Sequence, residues 1–178
     1  MKKIRVGING MGRIGRTVLR EIFNLNHPVL EVVAVNNPGH AERYIHLLRY
    51  DSNHGKFSKT VDYKDGILNI DSKKLTFFNF ADPKDIPWDK ANVDLVIDST
   101  GIFKDKEALG RHIKGSVKKV IMCAPGKDLD GTFVIGVNHQ DYNPSKQHII
   151  SNASCTTNCL APIAKVIHEK FGIENGMM

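Results

Sequence analysis

The sequence predicts an α/β fold, a doubly wound and mostly parallel sheet of the Rossmann type, followed by the first helix of a second unit. Three observations predict it. A strand-like run, Ile4-Arg5-Val6-Gly7-Ile8, passes directly into Gly10-Met11-Gly12-Arg13-Ile14-Gly15. Apolar residues then recur at helical spacing (Ile14, Val18, Ile22, Leu25) until Pro28, which cannot continue a helical hydrogen-bond ladder. A second short strand, Glu31 to Asn36, completes a strand–helix–strand unit whose right-handed crossover generates parallel sheet. Strands and helices continue to alternate beyond it, as they do in a sheet covered on both faces.

The remaining elements follow in order. Residues 40–50 carry a helical pattern. Short strands between Gly55 and Phe80 flank Asp65-Gly66, a pair suited to a tight hairpin turn. Asp94 to Asp98 is a buried-strand run that ends in Ser99-Thr100-Gly101. Lys106 to Lys114 reads as helix and Val117 to Ala124 as strand, with Phe133 to Val137 and His148 to Ser151 as further strands. Asp82-Pro83, Ile86-Pro87 and Asn143-Pro144 mark loops rather than linkers, and the chain has no internal repeat or low-complexity tract. In the last segment Leu160, Ile163, Ala164, Ile167 and Phe171 form one apolar helical stripe that Gly172 stops. Pro162 lies inside this helix and is expected to kink it or to set its first turn apart.

Composition narrows the function. Hydrophobic residues make up 41% and charged residues 25%, the balance of a folded globular chain. No run is apolar for long enough to span a bilayer, and Met1-Lys2-Lys3 leads into a strand rather than a signal peptide's apolar core. A soluble, cytoplasmic protein with no membrane partner is therefore expected. Three cysteines, an odd number without framework spacing, argue against a secreted disulfide scaffold. The formal charge of +6 suits anionic small molecules. The basic residues are scattered, with no compact block, which disfavours nucleic acid as the primary partner.

The glycine spacing has a specific physical use. In Gly10-x-Gly12-x-x-Gly15 the first glycine permits a tight turn, the second lets backbone approach a pyrophosphate, and the third lets helix pack close on strand. The helix start then offers free N–H groups and partial positive charge to the anion, with Arg13 nearby. Alone the pattern is weak, but here it follows a strand and opens a helix, the context that dinucleotide binding requires. The second strand ends in Asn36-Asn37-Pro38, where an acidic residue usually meets the ribose 2′-hydroxyl. Asn37 can still hydrogen-bond a hydroxyl and lacks the charge that would repel a 2′-phosphate, so NAD is expected and NADP stays open. Asn37 as a mere turn residue is the alternative.

The second chemical signal is Cys155, in Ser154-Cys155-Thr156-Thr157-Asn158 just before the last helix. Ser151, Asn152 or Ser154 can each serve as its N-cap. A helix N-terminus favours the thiolate, which is the nucleophilic form. The residues alone leave two readings of Cys155: nucleophile, or small buried hydrophobe. Cys159 lies on the same helical face, either as a second thiol able to condense with an oxidised Cys155 or, the favoured reading, as core packing. Two cysteines without a further ligand make no metal site.

Together the two motifs resemble glyceraldehyde-3-phosphate dehydrogenases. The matching segments are Asn9 to Arg16, Arg49 to Gly55, Ser99 to Phe103, Gly136 to His139, and Ser151 to Pro162, so the similarity covers essentially the whole chain. It implies a cofactor domain over residues 1–151 and the start of a catalytic domain, cut short, over residues 152–178. It also implies that Cys155 attacks the aldehyde of a phosphorylated sugar, that hydride leaves to the nicotinamide, and that inorganic phosphate releases the thioester as an acyl phosphate. By the same resemblance Ser154 and Thr156 contact substrate or phosphate. Asn9, Gly10, Gly12, Arg13, Ile14 and Gly15 surround the pyrophosphate, and Thr100, Gly101 and Phe103 the adenosine half. A homotetramer is implied as well.

Several positions depart from the family pattern. Asn37 replaces aspartate, Ala81 stands where many members have arginine, and Cys123 replaces serine or threonine near the nicotinamide end. The family's general-base histidine falls shortly beyond Met178. His168, thirteen residues after Cys155, would lie about 20 Å along the helix axis and cannot replace it. These 178 residues alone are therefore expected to turn over little or no substrate and to expose apolar surface. Erythrose-4-phosphate dehydrogenase, which shares both motifs, and a non-catalytic dinucleotide-binding module are the alternatives.

Overall fold

The computed structural model describes residues 3–177; Met1, Lys2 and Met178 lie outside the described residues. The first unit comprises strand β1 (Ile4–Asn9), helix α1 (Arg13–Asn24) and strand β2 (Leu30–Asn36), with α2 (Ala41–Arg49) after it. A small hairpin, β3 (Tyr50–Asp51) and β4 (Gly55–Lys56), leads to β5 (Val61–Lys64), β6 (Ile67–Ile70) and β7 (Lys73–Phe78). Then come β8 (Leu95–Asp98), α3 (Lys106–Gly110), β9 (Lys119–Met122), β10 (Gly131–Thr132), β11 (Ile149–Ser151) and α4 (Cys155–Phe171).

Nine strands form one sheet in the order β10-β11-β9-β8-β1-β2-β7-β6-β5. The pairs from β10 across to β7 are parallel, and β5, β6 and β7 pair antiparallel. Asp65 and Gly66 both have positive φ, 50° and 78°, as the tight turn between β5 and β6 requires. Successive strand residues feed opposite faces. Val35, Phe77 and Ile97 join a core with Leu19, Ile45 and Leu48 of α1 and α2. Their neighbours Ala34, Phe78 and Val96 join a second core with Trp88, Leu109 and Val120. This two-sided burial explains why the central strands read as continuous apolar runs. Winding proceeds outward from β1 through β2 on one side and from β8 through β9 on the other. The topological switch therefore falls between β1 and β8, where a crevice opens at the strands' carboxyl ends.

Four sequence expectations need correction. Phe133 to Val137 is not a strand: Val137 N–H bonds Val134 O at 3.1 Å and Gly136 has φ 84°, so the chain turns there, and the strand is Gly131–Thr132. The helix expected over Lys106 to Lys114 ends at Gly110, because the N–H groups of Arg111 and His112 turn back to Ala108 O and Leu109 O. Pro162 does not divide the last helix, which runs without interruption as α4; seven residues precede it, so the break costs one interior hydrogen bond rather than the nucleus. Cys159 is exposed rather than packed in a core, and no residue of α4 is buried among those described. The apolar stripe thus faces outward, with Ile163 56% and Phe171 85% exposed.

The sheet's β10–β11 edge depends on one carboxylate. Asp130 accepts from the N–H groups of His148 and Ile149 at 2.7 and 2.9 Å and pairs with Lys106 Nζ at 2.6 Å. Burial pushes its pKa up, but Lys106 and the two backbone donors outweigh that and hold it at about 2. A depressed carboxylate stabilises the fold above its unfolded value near 4 and loses that contribution as pH falls through the folded value. Asp130→Asn is therefore expected to lower stability at pH 7 by about 1–2 kcal/mol. In denaturant titrations that deficit should shrink between about pH 4 and about pH 2; a pH-independent deficit would contradict the assignment.

Candidate active site

The glycine loop is built by steric necessity. A Cβ on Gly15 would lie 1.9 Å from Gly10 O and 2.6 Å from Ser99 Oγ, so α1 packs against the end of β1 only with glycine there. Gly10 has φ 97°, a conformation that side-chain-bearing residues avoid. Gly12 is the N-cap of α1 without a side-chain cap bond, and a Cβ there would meet nothing within 4 Å. The first N–H groups of α1 have no intrahelical acceptor, and open space stands before them. That is a cradle for a phosphate anion, so the residues fit a dinucleotide.

The cleft beside this loop, about 320 Å³, is lined by Asn9, Gly10, Gly12, Asn37, Pro38, Tyr44, Phe80, Ala81, Ser99, Thr100, Ile102 and Phe103. No carboxylate is among them. Asn37 is buried; its Oδ1 accepts from Met11 N–H at 2.7 Å and its Nδ2 donates to Pro38 O at 2.7 Å. It therefore braces the glycine loop, and keeps one amide hydrogen for a ribose or phosphate oxygen. Arg13 does not stand free: its guanidinium pairs with Asp51 at 3.2 Å. The N–H groups of His54 and Asn53, with Arg13, hold Asp51 at about 2. Ile14 is half-exposed in the first turn, and Gly101 is exposed with φ 67°.

Cys155 is the first residue of α4 and is exposed. Of the three possible caps, Ser154 is the one used: its Oγ accepts from Thr157 N–H at 2.9 Å and lies 2.9 Å from Thr156 Oγ1. Asn158 Nδ2 donates to Asn152 O at 2.7 Å and Ser154 O at 2.9 Å, clasping the turn onto the helix. The turn itself holds Ala153 at φ 59°, a left-handed conformation costing about 1–2 kcal/mol for a residue with a Cβ. Sequence reading gave no sign of this, because alanine has no preference for that region.

The two signals meet along one sheet edge. Asn152 N–H bonds Met122 O at 3.2 Å and Ser151 Oγ lies against Ala124 O, which ties the approach to Cys155 to the end of β9. There Cys123 N–H bonds Asp98 O at 2.9 Å, which ties β9 to β8 beside the cleft. Cys123 is mostly covered; burial, then the nearby Asp98 carboxylate, push its thiol up to about 11, so it is a neutral thiol packed against the core and is not among the residues lining the cleft. Asp98 and Ser99 were missed by sequence reading. Their only signal was position at the end of a strand beside the switch point. His112 is fully buried in this region and is no partner for an exposed thiol.

Comparison with known proteins gives two family matches. Residues 4–106 match the model for the glyceraldehyde 3-phosphate dehydrogenase NAD binding domain, and residues 154–178 match that for the glyceraldehyde 3-phosphate dehydrogenase C-terminal domain. Among similar proteins, glyceraldehyde-3-phosphate dehydrogenase of Yarrowia lipolytica is 53% identical over 176 residues, covering 98% of this chain and 51% of the relative. Those of Chlamydia muridarum and Geobacillus stearothermophilus are 46% and 48% identical over 175 residues, each covering 98% of this chain and 52% of the relative. The chain spans about half the length of the curated relatives it matches.

The contrast among the cysteines is directly measurable. At neutral pH iodoacetamide should label Cys155 and Cys159 and spare Cys123 until the protein is unfolded, as read by peptide mass mapping. Equal labelling of Cys123 in the folded protein would contradict its placement.

Proposed function

This chain belongs to the glyceraldehyde-3-phosphate dehydrogenase family, and we propose from that premise that it carries the cofactor cleft and nucleophile for oxidising and phosphorylating glyceraldehyde 3-phosphate to 1,3-bisphosphoglycerate. The observation that supports it most is Cys155: exposed, at the start of a capped helix, on the same sheet edge as the glycine loop. Residues 1–151 serve as the dinucleotide-binding domain and residues 152–178 open the catalytic one. The names of the relatives favour this substrate over erythrose 4-phosphate and an enzyme over a bare binding module.

The residues divide the work as follows. Cys155 Sγ, as thiolate, forms a bond to the aldehyde carbon and gives a thiohemiacetal. The N–H groups at the start of α4 face the oxyanion that develops, and Ser154 and Thr156 hydroxyls bind phosphate oxygens there. The nicotinamide, when bound, supplies the hydride acceptor that turns the thiohemiacetal into a thioester. Inorganic phosphate then attacks the thioester carbon, the C–S bond breaks, and Cys155 leaves as thiolate with the acyl phosphate released. The oxyanion takes a proton from a general acid–base group, which accepts it back as hydride leaves; the family resemblance gives that role to a histidine. Gly10, Gly12 and the start of α1 hold the pyrophosphate, while Asn37, Thr100, Gly101 and Phe103 flank the adenosine half. A cytoplasmic homotetramer is the assembly that the family resemblance supports.

NADP is proposed as a second cofactor beside NAD. The support is the absence of any carboxylate among the cleft-lining residues and the neutral amide of Asn37. Asn37→Asp should weaken NADP binding relative to NAD by about tenfold or more, since like charges in a partly buried site cost several kcal/mol; an unchanged ratio in equilibrium titrations would remove Asn37 as the determinant.

The proposed chemistry is tested in the full-length enzyme by following nicotinamide reduction with substrate and phosphate and by trapping the acyl-enzyme for mass spectrometry. Cys155→Ser should cut turnover by more than about a thousandfold with cofactor affinity retained. Turnover surviving that substitution, or an acyl group on another residue, would refute the role given to Cys155.

A further inference from the structure

Behind the cleft lies a buried polar chain that the chemistry above does not use. Trp88, His112, Asp98, Asn9 and Asn36 are all 2% exposed or less. Trp88 Nε1 donates to His112 Nδ1 at 3.0 Å. An indole nitrogen can only donate, so His112 Nδ1 is bare and its proton sits on Nε2. From there it points at Asp98 Oδ2, 3.2 Å away. The 3.4 Å approach of Asn9 Nδ2 to His112 Nε2 then brings two donors side by side, both serving Asp98 Oδ2, to which Asn9 donates at 2.7 Å.

The other carboxylate oxygen faces the cleft wall. Asp98 Oδ1 accepts from Thr100 N–H at 3.1 Å and from Thr100 Oγ1–H at 2.7 Å. With its hydrogen spent, the Thr100 hydroxyl accepts from Ile102 N–H at 3.2 Å. Its methyl is thereby turned onto the glycine loop: Thr100 Cγ2 would be 3.1 Å from a Cβ on Gly10. Asn9, the residue before Gly10, is tethered on its other side by Asn36 Nδ2, which donates to Asn9 Oδ1 at 2.8 Å. Every polar atom of the Asn9 side chain is thus engaged inside the protein, so Asn9 serves the cleft by holding backbone.

One carboxylate therefore grips the glycine loop from two sides, through Asn9 before it and Thr100 beneath it. We propose that Asp98 and His112 are positioning residues for the cofactor cleft: His112, fixed in one tautomer by Trp88, orients Asp98, and Asp98 holds the Gly10 turn in the shape that accepts a pyrophosphate. This rests on the dinucleotide reading of the cleft.

The test is NAD affinity, measured by equilibrium titration of the full-length enzyme and its variants, with circular dichroism and thermal unfolding as checks on folding. Asp98→Asn and His112→Leu leave buried donors unpaired and should weaken NAD binding by roughly tenfold or more. His112→Gln keeps an acceptor for Trp88 and a donor for Asp98 and should stay within about threefold of the parent. Because Asp98 acts in part through Thr100, Asp98→Asn should cost markedly less NAD affinity in a Thr100→Val background than in the parent. Folded variants that bind NAD like the parent, or losses that simply multiply, would overturn the proposal. Where Asp98→Asn does not fold, the His112→Leu and His112→Gln pair decides it: equal affinities overturn it, and weakening that Gln rescues supports it. A parent enzyme that binds no NAD overturns the dinucleotide reading and this proposal together.

Discussion

The site depends first on a contact that leaves no room for a side chain. With Gly10 O where a Cβ of residue 15 would stand, α1 begins directly against the end of β1. That proximity aims the free N–H groups of the first helical turn into the crevice between β1 and β8. The other parts of the cleft consolidate this geometry. Ser99 Oγ donates to the carbonyls of Asn9 and Gly10, Asn37 receives the Met11 N–H, and Arg16 Nη1 donates to Met11 O. The loop is thus held by a hydroxyl, a side-chain amide and a guanidinium, while the side facing the cleft stays open.

A parallel sheet explains how Cys155, the nucleophile proposed above, comes to the same sheet edge as the cleft although it lies far along the chain. Successive strands β8, β9 and β11 end on the same edge, so residues after each strand become neighbours. Asp98, Cys123 and the turn before Cys155 follow in that spatial order, tied by the Cys123–Asp98 and Asn152–Met122 backbone bonds. Burial gives the two cysteines on this edge opposite characters: Cys123 is a neutral thiol packed against the core, and Cys155 is open at a helix start.

Helix α4 has a different energetic standing from the rest. Its cap, its clasp by Asn158 and the Lys165 Nζ bonds to Gly136 O and Val137 O fix its beginning and direction. Yet it buries no residue, and helices of this length in water draw most of their stability from packing. The exposed Ile163 and Phe171 are apolar surface that a monomeric domain rarely leaves uncovered.

Sequence alone determined the fold class, the glycine loop, the cysteine at a helix start and the family resemblance. Each is a local matter: strand and helix periodicities, a glycine spacing and a capped turn are set by residues within a few positions of each other. It misplaced the strand at Phe133 to Val137 and the packing of Cys159. Apolar character alone does not reveal whether a neighbour covers a residue or a turn interrupts it. Only tertiary structure decided that Asn37 braces Met11, that Arg13 is paired with Asp51, and that Asp98, His112 and Trp88 form one buried chain. The partners lie 14 to 38 residues apart in sequence. Hydrogen-bond partners at such separations are chosen by strand order, which no local pattern encodes.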